Sequence, residues 1–167
     1  MTFIYKDNNY MSIVKNILDN NHFTDIKNCR HHGHSRFDHS IKVSYFAYKI
    51  ARFLKLDYES TAKAGLLHDF FITSNDATAI DTIISNFRHA KEALDNASKY
   101  YNLSLIEEDI IITHMFPINF TPPKYFESWI VSTVDKAVAI HEYYLLFKLK
   151  VRFAANILTF FLFNFLK

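Results

Sequence analysis

Residues 64–69 read Ala-Gly-Leu-Leu-His-Asp, an apolar turn that ends in two ionisable side chains. Asp57 lies just upstream and is a residue type that caps helix N-termini, so a helix is predicted from Tyr58 to Phe70. Several side chains of this helix are small and would allow a neighbouring helix to approach closely. The stretch therefore predicts a tightly packed helix whose end carries His68 and Asp69.

The composition of the whole chain favours long helices. It has 167 residues, of which 50% are hydrophobic and 17% aromatic, and it contains 2 glycines and 3 prolines. Charged residues make up only 22% of the chain, which excludes intrinsic disorder. Sheet sandwiches and glycine-rich phosphate loops need turn glycines and are excluded as well. A chain of this length forms one domain, and we predict an all-α bundle of about six to eight helices.

Apolar residues at helical spacing indicate the remaining elements. The pattern Ser104 to Glu107 is typical of a capping box that opens a helix. Two prolines precede the longest helix, which is expected to end near Leu149. Further helices are predicted over 10–20, 38–56 and 80–87, and from His89 onward as a separate helix. The apolar face of the helix over 38–56 is predicted to consist of His39, Val43, Phe46, Ile50 and Phe53.

Several polar residues lie on helix faces that are otherwise apolar. His39 shares such a face, and His114 closely follows three consecutive isoleucines. Asp135 lies between Val131 and Val138, where a carboxylate would be unfavourable to bury alone. Because none of these polar residues has a partner on its own helix, we expect them to partner one another. Imidazoles and carboxylates without a thiolate are a donor set for zinc, manganese or iron.

Three short motifs carry a resemblance to a known family. They are Asp38-His39-Ser40, His68-Asp69 and Asp135-Lys136, and they look like the H…HD…D signature of HD-domain metal-dependent phosphohydrolases. The HD pair follows the first histidine by 29 residues, and this spacing is more specific than the dipeptide alone. The resemblance covers about residues 30–145 and implies an HD-domain helical bundle, most similar to the compact bacterial HD hydrolases.

The resemblance also implies a dinuclear metal site. His89 and His114 look like the two extra histidines of the dinuclear members, in which the aspartate of the HD pair bridges both ions. The competing interpretation of His89 is a solvated residue at a helix start. The implied cofactors are two divalent ions, drawn from iron, manganese, zinc, nickel, cobalt or magnesium. The ligands of the first ion are matched by His39, His68, Asp69 and Asp135.

The implied chemistry is hydrolysis at phosphorus. A divalent ion lowers the pKa of bound water towards about 7, and two such ions would hold one hydroxide between them. Arg36 and Lys136 could bind the phosphate group of a substrate. The competing interpretation is that each side chain forms an ion pair on the protein surface. Three loop histidines could line the mouth of the site or supply a proton to the leaving group, unless they are simply exposed. They are His31, His32 and His34.

We therefore expect a metal-dependent phosphohydrolase that acts on a nucleotide or another small phosphate ester. The alternative is a non-catalytic regulatory module of HD fold that binds metal and nucleotide. The catalytic roles are assigned to His68, Asp69, Arg36 and Lys136.

Charge and cysteine content bear on partners and compartment. A net charge of +2, from 19 basic and 17 acidic residues, predicts no groove for nucleic acid. The single Cys29 excludes a disulfide framework, and the first residues lack the apolar region of a secretory signal. We expect a cytoplasmic protein.

The segment 151–167 is expected to form an apolar C-terminal helix beside an HD domain of residues 1–150. Its apolar run, 153–166, would be about 21 Å long, against about 30 Å for a bilayer core. We expect it to pack on the domain or on a second copy in a homodimer. The competing interpretation is contact with a membrane surface, because cations flank the run. These are Lys148, Lys150, Arg152 and Lys167.

Overall fold

The computed structural model describes residues 3–28, 30–31, 34–71 and 79–165. Within them the chain is a helical bundle with one two-stranded hairpin, and this confirms the predicted all-α class. Short 3-10 turns occur at Ile4–Lys6 and Asp25–Asn28. The other elements are α1 (Asn8–Leu18), α2 (Asn21–Thr24), β1 (Arg30–His31), β2 (His34–Ser35), α3 (Arg36–Phe53), α4 (Tyr58–Leu67), α5 (Ala79–Tyr100), α6 (Leu105–Thr113) and α7 (Phe126–Phe165).

Capping side chains set the starts of two helices, as the sequence predicts. Asp57 accepts a hydrogen bond from the backbone amide of Ser60 at the start of α4. Ser104 and Glu107 form the capping box of α6, with each side chain bonded to the backbone amide of the other residue. These bonds satisfy amides that have no partner within the first helical turn.

Helices α3 and α4 pack closely because Gly65 has no side chain. A Cβ atom at Gly65 would lie 3.1 Å from the Cα atom of Ser44. The Ser44 hydroxyl donates to a carbonyl of α4 at 2.6 Å and accepts from the Tyr10 hydroxyl at 2.8 Å. The close contact brings the end of α4, where His68 lies, against the helix that carries His39.

Two buried carboxylates fix the start of α7. Asp109 of α6 accepts hydrogen bonds from the backbone amide of Lys124 at 2.9 Å and from the hydroxyl of Ser128 at 2.7 Å. Glu127 accepts a hydrogen bond from the backbone amide of Asp57 at 3.0 Å. The first half of α7 is therefore held against α6 and the α3–α4 loop.

Two predicted helix boundaries are far from the observed ones, and several others differ by two or three residues. Helix α5 runs unbroken from Ala79 to Tyr100, so His89 lies in mid-helix and not at a helix start. Helix α7 continues to Phe165 and does not end near Leu149. Helix α3 begins at Arg36, two residues before the predicted start. Neither α5 nor α7 contains proline or glycine, so the local sequence offers no reason for either helix to stop.

The predicted apolar face of α3 is only half right. His39 and Val43 are buried, whereas Phe46, Ile50 and Phe53 are exposed. The close spacing of α3 and α4 favours small side chains in the interface, and the alanines of α3 meet that requirement better than its phenylalanines. The buried residues of the same turns are Ala47, Tyr48 and Ala51.

Helix α7 extends well past the part that packs on the bundle. It has 40 residues, which at about 1.5 Å per residue gives a length of about 60 Å. All side chains over 147–163 are exposed in the single chain. Among the helices of the described residues, none combines the length and the apolar character that crossing a membrane requires.

Candidate metal centre

Five helices bring the six predicted ligands together. The side chains come from α3, from the residues that follow α4 and α6, and from within α5 and α7. All six residues are buried, with exposed fractions of no more than 9%. They are His39, His68, Asp69, His89, His114 and Asp135.

One group of donors surrounds Asp135. Its Oδ1 atom lies 2.9 Å from Nε2 of His39 and 3.5 Å from Nε2 of His68. The three residues offer ligand atoms that all lie within 4.8 Å of one another, close enough to hold one ion. A second such group consists of His68, Asp69 and His114.

Backbone carbonyls select the tautomers of His68 and His114. Nδ1 of His68 bonds to the carbonyl of Gly65, and Nδ1 of His114 bonds to the carbonyl of Ile111, each at 2.8 Å. Because a carbonyl only accepts, Nδ1 carries a proton in both rings, and the other ring nitrogen, Nε2, faces the centre of the site. Nε2 of His68 is buried and has no hydrogen-bond partner among the described residues. A buried ring nitrogen that has no hydrogen-bond partner and lies beside two carboxylates fits a metal ligand.

The two oxygens of Asp69 face different histidines. Oδ2 lies 3.7 Å from Nε2 of His68. Oδ1 lies 3.7 Å from Nε2 of His114 and 3.8 Å from Nε2 of His89. The last two nitrogens are 3.0 Å apart. Asp69 therefore presents one oxygen to His68 and the other to His114 and His89.

Burial, hydrogen bonds and neighbouring charges set the protonation of the site residues. Burial disfavours a charged His39, but its hydrogen bonds to Asp135 and Glu142 outweigh this and raise its pKa to about 10. Burial also disfavours ionised Asp135, but the hydrogen bond from His39 and the nearby charge of His68 hold the pKa of the carboxyl well below its usual range. Burial, followed by the nearby charge of His68, lowers the pKa of His114 to about 3, so His114 is neutral.

Glu142 is a site residue that the sequence analysis missed. It is fully buried, and its Oε2 accepts a hydrogen bond from Nδ1 of His39 at 3.0 Å. Its other oxygen accepts from the ammonium of Lys42 at 2.7 Å. Glu142 follows Asp135 by seven residues, or about two helical turns, so both carboxylates lie on one face of α7. That spacing is the signal from which Glu142 could have been found.

Arg36 is buried, whereas its competing interpretation, a surface ion pair, requires an exposed side chain. Its Nη1 donates to the carbonyl of Phe71 at 2.6 Å, and the guanidinium carbon lies 3.8 Å from the centre of the Phe71 ring. Phe71 connects Arg36 to the candidate site, because the same ring also stacks on His89, with ring centres 5.1 Å apart. Phosphate binding by Arg36 stays a prediction.

Lys136 is half-buried and holds the turn that follows α6. Its ammonium donates to the carbonyl of His114 at 2.8 Å and to both oxygens of Ser132. The Ser132 hydroxyl donates to the same His114 carbonyl at 2.9 Å. In this turn the ring of Phe116 meets Trp129, the one tryptophan of the sequence, edge to face at 5.3 Å. A role for Lys136 in phosphate binding likewise stays a prediction.

The three loop histidines are described only in part. His31 and His34 are paired across the antiparallel hairpin of β1 and β2, directly before α3. Their side chains, and the whole of His32, lie outside the described residues. Their roles at the mouth of the site stay predictions.

Comparison with known proteins identifies the family. A family model described as HD domain matches residues 36–141, more than half of the chain, and this interval contains all six predicted ligands. No curated protein and no solved structure matches the chain. The chain therefore belongs to the HD-domain family, whose members are for the most part metal-dependent hydrolases.

Proposed function

We propose that the chain is a phosphohydrolase that uses two divalent metal ions and acts on a nucleotide or another small phosphate ester. The position of Asp69 supports this function most directly. Its two oxygens face two separate histidine groups, at 3.7 Å from His68 on one side and 3.7 and 3.8 Å from His114 and His89 on the other. This is the disposition required of a carboxylate that bridges two ions.

The donor set fits two divalent ions. One would be held by His39, His68 and Asp135 together with Asp69, and the other by Asp69 with the remaining two histidines. Two such ions would supply Lewis acidity and an activated water for attack on phosphorus. The residues of the chain prepare the site for them, because backbone carbonyls orient His68 and His114, and Glu142 orients His39.

Charge balance supports a phosphorylated substrate. The negative charge of Glu142 is offset by Lys42, which lies 2.7 Å away. Two divalent ions against the carboxylates of Asp69 and Asp135, with neutral imidazoles, would leave about two positive charges. A phosphate ester dianion complements such a site. The choice of a nucleotide among phosphate esters is the narrower part of the proposal, and it is supported by the resemblance to the compact HD hydrolases.

The test combines metal analysis with a screen for phosphate release over nucleotides and simple phosphate esters. We expect about two ions per chain and activity with at least one substrate, following two-metal chemistry. Asp69→Asn should reduce phosphate release by more than roughly 100-fold and weaken both metal sites. The matched control is Asp95→Asn, because Asp95 is exposed on α5 and pairs only with Lys91 in the described structure.

Single-ligand variants distinguish the two sites. His89→Ala and His114→Ala should remove mainly one ion, and His39→Ala and Asp135→Ala mainly the other. One ion per chain, with His89 and His114 dispensable for activity, would show a mononuclear hydrolase. Full metal occupancy and tight nucleotide binding without turnover, over several metals, would favour the non-catalytic regulatory module.

A further inference from the structure

Residues 143–163 of α7, here called the distal segment, expose apolar side chains over most of the helix surface. Phe160, Phe161, Leu162 and Phe163 are consecutive and are 68, 53, 52 and 75% exposed. Successive residues of a helix are rotated by about 100°, so these four side chains are distributed over its full circumference. Apolar surface of this extent marks an interaction site.

A narrow polar stripe interrupts this apolar surface. Lys148, Arg152, Asn156 and Thr159 follow one another at spacings of four, four and three residues, which places them on one side of the helix. All four are exposed, and the Thr159 hydroxyl donates to the carbonyl of Ala155 within its own helix. A helix that packs against one neighbour is apolar on one side only. The distal segment differs from it, because most of its surface is apolar and only a narrow stripe is polar.

The charge of the distal segment has one sign. It contains Lys148, Lys150 and Arg152, all exposed, and neither aspartate nor glutamate occurs over 143–163. A second copy of the segment would therefore bring only like charge, whereas a surface of anionic headgroups complements it. Lys150 lies outside the stripe, but the flexible stem of a lysine lets its ammonium reach such headgroups.

We propose that the distal segment lies in the interface of an anionic lipid bilayer. The polar stripe faces the headgroups, and the apolar sector enters the boundary with the acyl chains, to a depth of roughly 5–10 Å. Exposed phenylalanines at successive positions point in different directions. Lipid can bury all of them together, because it surrounds a broad sector of the helix. The 11 residues of 153–163 extend over about 16 Å, a length suited to lying in the interface.

The electrostatic part is tested by sedimenting the full chain with vesicles of phosphatidylcholine, with and without phosphatidylserine. We expect binding to the vesicles that contain phosphatidylserine. The triple variant Lys148→Gln, Lys150→Gln, Arg152→Gln should bind them roughly 100-fold more weakly. A matched triple variant removes three exposed lysines elsewhere and should bind as the unmodified chain does. Its substitutions are Lys15→Gln, Lys49→Gln and Lys55→Gln.

The apolar part is tested with the double variant Phe160→Ser, Phe161→Ser. It should also lose vesicle binding, while circular dichroism in solution shows the helical bundle retained. The control is Phe53→Ser with Phe120→Ser, which removes two phenylalanines on the body of the domain that are more exposed than Phe160 and Phe161. The control should bind vesicles normally.

Three outcomes would overturn the proposal. The first is equal binding to vesicles with and without phosphatidylserine. The second is unchanged binding by the Lys148, Lys150, Arg152 variant. The third is absence of vesicle binding. In that case, a dimer of the unmodified chain that is lost in the Phe160, Phe161 variant would identify a second copy of the chain as the partner.

Discussion

Glu142 orients the ring of His39, a candidate metal ligand, although Glu142 itself does not reach the centre of the site. It accepts a hydrogen bond from Nδ1 of His39, so the proton of a neutral His39 ring resides on Nδ1 and Nε2 is left to face Asp135. A carboxylate in this position fixes the ring and raises its basicity as a ligand. Lys42 compensates the charge of Glu142 on the opposite side.

Glu142 substitutions should therefore lower metal affinity in two steps. Glu142→Gln keeps an acceptor for Nδ1 but removes the charge, and we expect metal affinity to fall by about tenfold. Glu142→Leu removes both, and we expect a loss of about 100-fold. Competition with a chelator of known affinity measures the effect.

Two controls separate this role from a general loss of structure. Glu108→Gln changes an exposed residue of α6 and should leave metal affinity unchanged. Lys42→Gln removes the other partner of Glu142 but leaves the contact with His39, so metal affinity should stay within a few-fold of the original. Unchanged affinity in Glu142→Leu would show that His39 is oriented without Glu142.

The sequence pointed to the six candidate ligands more readily than to the residues that support them. His39 and Asp135 are conspicuous because they interrupt apolar helix faces. Glu142 is flanked by His141 and Tyr143, so it resembles an ordinary surface residue until its distance from Asp135 is considered. The contacts of Arg36 with Phe71 could not be predicted either, because they join residues 35 positions apart.

At the scale of single elements, the packing of α4 on α3 depends on Gly65. This glycine serves two purposes, because the absence of a Cβ atom allows the close approach to Ser44, and its carbonyl accepts the bond from Nδ1 of His68. A helical glycine is otherwise unfavourable by roughly 0.5–1 kcal/mol relative to alanine. The tight contact accounts for its presence within α4.

Gly65→Ala should destabilise the protein despite the better helix propensity of alanine. The new Cβ atom would lie 3.1 Å from a backbone atom of α3, so the two helices must move apart. Overpacking of this kind costs roughly 1–3 kcal/mol, which exceeds the gain in propensity. Urea unfolding followed by circular dichroism measures the change. Lys63→Ala, on the partly exposed side of the same helix, is the control, and a more stable Gly65→Ala variant would refute the expectation.

Helix starts that a capping side chain marks were predictable, whereas other boundaries and the buried faces were not. Caps such as Asp57 and the pair Ser104 and Glu107 are local signals, and the structure confirms them. The division of α5 at His89 followed from a shift in the apolar pattern, but a helix without proline or glycine continues through such a shift. The buried face of α3 depends on the contact with α4, which the periodicity of α3 alone does not contain.

At the scale of the whole molecule, the candidate metal centre lies where five helices of the described structure meet. Helix α7 links this centre to the proposed membrane contact, since its first half carries Asp135 and Glu142 and its second half is the distal segment. The all-α class follows from composition and could be predicted. The continuity of α7 from the site to the distal segment could not, because the apolar run after residue 152 resembles a separate element.

The contact between Trp129 and Phe116 gives the protein an internal optical reporter. The sequence has one tryptophan, so its fluorescence comes from one place, beside the turn after His114 and six residues before Asp135. We expect the emission to change during a titration with manganese or zinc and to return when a chelator is added, because both neighbouring ligands move onto the ions. If equilibrium dialysis shows metal uptake but the emission stays constant, the turn after His114 does not change its structure when metal binds. The response would follow occupancy of the site without an added label and without a known substrate.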